Sequence, residues 1–317
     1  MSELSKDISF IIVNYNALAH IQKLYASLLE KMGSGDLSWE ALIVDNNSKD
    51  KSPDFLRTLS LKDARIKTIC LDENAGFSKA CNIGAQASEG RVLIFLNPDT
   101  VLIDCHIADL ISFYESKEDI GAVGAKMLNA DLSLQRSARS FPTLARQFYE
   151  SFFLDKIFSK SRVFGAYFMG FSRLEQIMEV DWLSGAFLLL SREIFLKAGG
   201  FEEDYFIFSE DADLCLKLKR IGLHNYFYPH YRIIHDDGAI SGRNFAKRHA
   251  QIIRARNIYF KKNYSLFSAK MVTLLCFAGV LKRILVFSIL ALFRPKKGYF
   301  EKASQYGKVF RDYFASK

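Results

Sequence analysis

The chain is predicted to be an α/β protein built on a mostly parallel sheet, with a basic helical appendage at its C-terminus. Three observations carry this reading. Short apolar, β-branched runs recur along the first hundred residues with helical patterns between them. Each of those runs ends in Asn or Asp. The net charge of +8 is concentrated at one end: 17 of the 43 basic residues, but only two of the 35 acidic ones, come after residue 242.

The runs come in order. ISFIIV (8–13) is a short continuous apolar stretch, as expected of a strand buried on both faces. Leu18, Ile21, Leu24, Tyr25 and Leu28 come next at helical spacing. ALIVD (41–45), RIKTICL (65–71) and RVLIFL (91–96) read as three further strands. GFSKACNIGAQASEG reads as a small-residue helix before the last of them, with Gly90 as its C-cap. Ligands on such sheets sit beyond the carboxyl ends of the strands. Here those ends read NYN (14–16), DNNSKD (45–50), DENAG (72–76) and NPD (97–99). Asn and Asp are also good turn formers and caps, which explains any one of these ends more easily than all four.

Residues 129–180 lose the pattern and read as an insertion, facing an acceptor or a membrane or forming an ordinary surface subdomain. DWLSGAFLLLSRE (181–193) resumes a core strand. SEDADLCLKLKRIG (209–222) reads as an amphipathic helix capped by Ser209, with acids in its first turn and Gly222 as its stop. YFYPHYRIIH reads as a last, edge strand carrying a proline. The expected organisation is a catalytic domain over 1–242 and a helical tail over 243–317.

Five cysteines without a CxxC pair argue against a disulfide framework or a structural zinc site and fit reduced thiols. MSELSKDISF lacks a basic segment with an apolar stretch after it, so no signal peptide and a cytoplasmic location are expected.

FIIVNYN, VDNNSKD, NAGFSKACNIGAQAS, FLNPDT, WLSGAFLLLSRE and GGFEEDYFIFSEDADLCLKLKRIG stand in the order and spacing of glycosyltransferase family 2. Over roughly residues 8–240 the chain resembles the branch of bacterial rhamnosyltransferases. The resemblance implies a GT-A nucleotide-binding half-sheet and an inverting, metal-dependent transfer. The sugar is most readily L-rhamnose from dTDP-L-rhamnose, and UDP-sugars are the alternative. The acceptor would be a hydroxyl of a glycan or a polyprenyl-diphosphate-linked oligosaccharide in cell-surface polysaccharide synthesis. Asp45 would face the nucleobase, with Asn14 and Asn16 lining the same pocket and Asn74 and Gly76 also at the donor. Asp99 would be the metal ligand. Many relatives have Asp-x-Asp where this chain has Asn97-Pro98-Asp99, so one carboxylate remains, which is workable for Mg²⁺ or Mn²⁺. His235 is either a second ligand, favouring Mn²⁺, or an ordinary surface or core histidine. Asp211 would be the base, with Glu210 beside it. Clustering with Asp213 is expected to raise their proton affinities. Trp182 and Gly185 would lie against the donor sugar, or Trp182 belongs to the core.

Two other classes fit less well. A sugar nucleotidyltransferase should carry a glycine-rich loop with Arg after the first strand, where this chain reads NYNALAHI. A non-catalytic nucleotide-sugar-binding protein would not need both Asp99 and Asp211.

The tail stretch 271–293 is apolar, but Lys282 and Arg283 interrupt it. Each such charge at a bilayer centre costs roughly 2.5–3.5 kcal/mol. One or two helices lying in the membrane interface are therefore expected, with Arg294, Lys296, Lys297 and Lys302 at anionic headgroups. The other use of this tail is packing on the catalytic domain or on a second copy of the chain. No nucleic-acid module is recognisable.

Overall fold

The computed structural model describes residues 5–33, 37–104, 106–236, 244–294 and 298–315. The chain begins β1 (Lys6–Asn14), α1 (Leu18–Met32), β2 (Trp39–Asp45), α2 (Ser52–Lys62), β3 (Ile66–Cys70), α3 (Phe77–Ala87) and β4 (Gly90–Leu96). It continues with β5 (Thr100–Asp104), α4 (Ile107–Glu115), β6 (Ile120–Leu128), β7 (Leu134–Gln135), β8 (Ala138–Arg139), α5 (Leu144–Ser151) and α6 (Leu154–Ile157). Next come β9 (Met178–Val180), β10 (Trp182–Leu183), β11 (Phe187–Ser191), α7 (Arg192–Lys197), α8 (Glu210–Arg220) and β12 (His224–His235). Three helices close the chain: α9 (Phe245–Asn263), α10 (Leu266–Phe293) and α11 (Tyr299–Ala315).

These elements form two compact units. The first is built on a sheet of order β3-β2-β1-β4-β11-β6-β12-β5, with β7 on β6 and β9 on β12. The β1, β2, β3 and β4 pairings are parallel, as the alternating strands and helices require. β11 enters antiparallel between β4 and β6. Ile8, Phe10, Ile94 and Phe187 are fully buried in the sheet's core, each contributing roughly 1.5–3 kcal/mol of burial.

Four details of the predicted elements differ. Gly90 does not cap α3, which gives way at Ser88; it starts β4. A Cβ there would lie 2.4 Å from the Ser9 nitrogen, so close approach of two strands calls for the glycine. The 181–193 stretch is divided: Trp182–Leu183 pairs with β8 in a separate two-stranded sheet, and the core strand proper starts at Phe187. Ser209 has φ of +68°, in the left-handed region and not the extended backbone of an N-cap. β12 is not an edge strand, since β6 lies on one side and β5 and β9 on the other. Pro229 sits where the β6 register shifts between Tyr228 and Arg232, so its missing N–H costs no ladder bond.

The second unit gathers Ser140–Arg173 with α9, α10 and α11. Thr143, Asn244 and Ser265 each accept the third-residue N–H of the helix they precede, which fixes where α5, α9 and α10 begin. α10 is one continuous helix of 28 residues. Its two central charges are turned toward protein. Lys282 Nζ lies 3.7 Å from the Phe153 ring centre, and Arg283 donates to the Glu150 carbonyl at 3.3 Å. Glu150 also pairs with the half-buried Arg256 at 2.8 Å. Cys105, Lys296 and Lys297 lie outside the described residues.

Candidate active site

The first unit collects the predicted residues on the rim where the parallel strands end. Ladder register begins this. Asn14 stands opposite Asp45, and its Nδ2 donates to Asp45 Oδ1 at 2.8 Å and to Ser48 Oγ at 3.1 Å. Asp45 Oδ2 accepts the Ser48 N–H at 3.0 Å. Asn16, at φ +52°, accepts the Lys49 N–H. Asn74 accepts from Asn46 Nδ2 at 3.0 Å and from the Gly76 N–H at 3.1 Å. Gly76 has φ of +85°, and a Cβ there would lie 2.7 Å from the Phe206 carbonyl oxygen. Asn46 and Ser48, both buried and both inside the DNNSKD stretch, bind the loops of this rim together.

A second group forms where β4 leaves the sheet. Asn97-Pro98-Asp99 carries the chain from β4 straight into β5, which pairs with β12. That ladder sets His235 opposite Thr100, and the Asp236 N–H donates to the Asp99 carbonyl at 3.0 Å. His235 Nε2 consequently lies 3.4 Å from Asp99 Oδ1 and 3.3 Å from Asn97 Nδ2. Both Asp99 and His235 are buried. Two electron-pair donors converging this closely fit a divalent cation that takes its remaining ligands from phosphate and water. Among the described residues, no cluster of three or more His, Cys, Asp or Glu side chains supplies a complete shell.

A third group surrounds the acids of α8. Gly185 N–H donates to Asp211 Oδ2 at 3.0 Å, and the Ala212 N–H donates to Oδ1 at 2.8 Å. Burial raises the Asp211 carboxyl above the ordinary range, against those two bonds and the nearby Arg139 charge. Glu210 is pushed well above its ordinary value, first by burial and then by the charge of Asp211. The expected repulsion between the acids thus bears on Glu210, while burial is what raises Asp211. Asp213 is turned away, paired with Lys217 at 3.3 Å and accepting from Tyr205 Oη. Trp182 is buried with the Arg139 guanidinium 5.0 Å above its ring. A Cβ on Gly185 would meet Asp211 at an ordinary 3.5 Å, so packing alone does not demand glycine there.

The second and third groups are joined: the Asn97 N–H donates to the Ala186 carbonyl at 3.2 Å, next to Gly185. Two residues of QRSARSFPT, which in sequence is only part of a basic insertion, also belong here. Arg139 is one, held by the β8–β10 pairing; Gln135, against His235, is the other. Their sequence signal is a polar pattern without periodicity, and only strand pairing gives it meaning.

A parallel half-sheet with a polar rim, a lone acid at a strand exit and a helix-borne acid pair defines a glycosyltransferase of GT-A architecture. The chain belongs to glycosyl transferase family 2, whose pattern matches residues 9–175. It is 27% identical over 267 residues to the N-acetylglucosaminyl-diphospho-decaprenol L-rhamnosyltransferase of Mycobacterium tuberculosis, spanning 80% of this chain and 84% of that one. It is 28% identical over 240 residues to the rhamnosyltransferase WbbL of Escherichia coli, spanning 71% and 81%. In fold it is similar to the mannosyltransferase PcManGT of Pyrobaculum calidifontis, solved with GDP-Man and Mn²⁺, at TM-score 0.56, 13% identity and coverage of 99% and 89%. It is likewise similar to GalNAc-T7, solved with UDP, GalNAc and Mn²⁺, at TM-score 0.57, 15% identity and coverage of 82% and 51%.

The Glu210 environment makes a stability prediction. Its carboxyl binds its proton more tightly in the folded chain than in the unfolded one, where the ordinary value is 4.5. Stability therefore falls as pH rises from that value toward the raised folded one, by up to about 1.4 kcal/mol per pH unit. Glu210→Gln should reduce this slope in denaturant titrations carried upward in pH from the ordinary carboxyl value; an unchanged slope would contradict the raised carboxyl.

Proposed function

We propose that this chain is an inverting, divalent-metal-dependent transferase that moves L-rhamnose from dTDP-L-rhamnose to a hydroxyl of a polyprenyl-diphosphate-linked acceptor. The observation that carries the reading is the seam from Asp99 and His235, through Asn97 and Ala186, to Gly185 and Asp211. It sets two electron-pair donors for a cation on one side and a raised carboxylate on the other. The sugar and the lipid diphosphate are supported by the names of the Mycobacterium tuberculosis and Escherichia coli relatives.

Asp99 and His235 would hold the cation, which when bound neutralises charge growing on the departing diphosphate. Asn14, Asn16 and Asp45 hold the nucleobase, and Asn74 and Gly76 border the donor. Trp182 and Gly185 line the sugar, where the missing Cβ leaves approach open. Asp211 takes the proton of the acceptor hydroxyl as it attacks the anomeric carbon from the face opposite the diphosphate. Burial gives Asp211 the proton affinity a base needs, while Arg139 and the Gly185 and Ala212 amides keep it ionisable. Glu210, buried beside it, is raised well above its ordinary value by burial and by the Asp211 charge, which disfavours a second charge there.

Purified chain, offered a panel of nucleotide sugars with Mn²⁺ or Mg²⁺ and a lipid-diphosphate acceptor, should release most nucleotide from dTDP-L-rhamnose. Chelation should abolish that release. Asp211→Asn should lower kcat by about 10²–10⁴-fold with donor affinity nearly unchanged. Preference for a UDP-sugar would overturn the donor, activity surviving chelation would overturn the metal, and full activity of Asp211→Asn would overturn the base.

The proposal includes peripheral contact with the cytoplasmic face of the membrane. Phe267, Leu274, Leu281, Leu285, Ile289 and Leu292 are exposed along one face of α10, spaced at whole helical turns. The helix is long and apolar enough to cross a bilayer by length and composition, but Lys282 and Arg283 face protein, which leaves the outward stripe uncharged. Lys270, Arg294 and Lys302 are exposed and available to anionic headgroups, worth about 1 kcal/mol each. The full chain should sediment with anionic vesicles, and Leu281→Glu with Leu285→Glu should cut that binding at least about tenfold. Equal sedimentation of the double variant would sink the contact.

A further inference from the structure

We propose that Gln135 is the positioning residue that makes His235 a metal ligand, and that a directional hydrogen-bond chain from Asp131 sets the polarity of its amide. The inference rests on the proposed cation site at Asp99 and His235.

Donors and acceptors around Gln135 can be assigned one by one. Gln135 Nε2 donates to two carbonyl oxygens, that of the His235 backbone at 3.2 Å and Asn129 Oδ1 at 3.0 Å. Neither can donate back, so the amide orientation is fixed and Gln135 Oε1 must face His235 Nδ1, 2.7 Å away. A carbonyl oxygen only accepts, so the imidazole proton sits on Nδ1. In the neutral ring Nε2 then presents a lone pair, and it is Nε2 that approaches Asp99. Asn97 Nδ2, at 3.3 Å, is a donor and so agrees with that lone pair.

The polarity continues outward. Asn129 Nδ2 donates to Ser133 Oγ at 2.8 Å, and Ser133 Oγ donates to Asp131 Oδ1 at 2.5 Å. The Ser133 backbone N–H donates to the same oxygen at 3.0 Å. These bonds hold the Asp131 carboxyl below its usual range, so the chain ends on a group that accepts only. Each link is therefore oriented in one sense from Asp131 to His235 Nδ1. The scaffold is local: the Asn129–Ser133 turn joins β6 to β7, whose register sets Met127 opposite Gln135. Gln135 touches neither donor nor acceptor substrate; it acts through His235. Outer partners of this kind hold a ligating imidazole in one tautomer and one ring orientation, and losing one typically costs about 10–100-fold in metal affinity.

Two readouts on the full-length protein test this. In long-range ¹H–¹⁵N spectra of the metal-free chain, His235 should carry its neutral-ring proton on Nδ1, and Gln135→Leu should lose that preference. A native His235 protonated on Nε2 instead would overturn the proposal. In Mn²⁺ titrations followed by electron paramagnetic resonance with dTDP present, Gln135→Leu should bind about 10–100-fold more weakly. Equal affinity for Gln135→Leu overturns the role of Gln135 while leaving the metal reading intact. A native chain that takes no Mn²⁺ overturns the metal reading, and this proposal falls with it.

Discussion

One backbone hydrogen bond joins the two chemical halves of this molecule: the Asn97 N–H to the Ala186 carbonyl, 3.2 Å. It closes the antiparallel ladder between β4 and β11, where Leu96 stands opposite Phe187. Both strands are buried on both faces, so neither can slide without repacking close-packed side chains on each side of the sheet. The segments that flank this junction are thereby fixed. On one side Asn97-Pro98-Asp99 is delivered to His235 through the β5–β12 ladder. On the other, Gly185 presents its N–H to Asp211. Asp99 and His235 on one side and Asp211 on the other come from strands and a helix far apart in sequence, and one register holds them together.

The electrostatics of the two halves are opposed by construction. Asp99 meets an imidazole and an amide. Asp211 meets burial, backbone N–H groups and an arginine, a balance that leaves a carboxylate able to take a proton and to give it up. Glu210 meets burial and the Asp211 charge, which push it well above its ordinary value. Environment thus treats two carboxyls adjacent in sequence differently, with opposing hydrogen bonds and a cation at Asp211 alone.

The parallel half of the sheet was legible because its signal is local: buried β-branched runs, helical spacing between them and polar residues at each exit. The places of Asp99 at a strand exit and of Asp211 in the first turn of a helix were legible too. The middle of the chain was not. β6 reads IGAVGAKML, too rich in small residues to mark itself as a central strand, and β7 and β8 are two residues each. Such elements exist only through their partners, so Gln135 and Arg139 carry no pattern that composition can detect. Gly90 and Pro229 depart from expectation for a related reason: local propensity favours a cap and an edge, while a close strand approach and a register shift decide the outcome. In the tail, Lys282 and Arg283 read as obstacles to an apolar helix until the contacts of Glu150 and Phe153 show which way they turn.

The central claim is that leaving group and base stand on opposite faces of the sugar. The anomeric configuration of the transferred sugar tests it most directly, read from one-bond carbon–proton coupling at the new linkage. A configuration opposite to that of the nucleotide donor is predicted. A product that retains the donor's configuration would contradict single displacement with Asp211 as base, and with it the chemical reading of the seam.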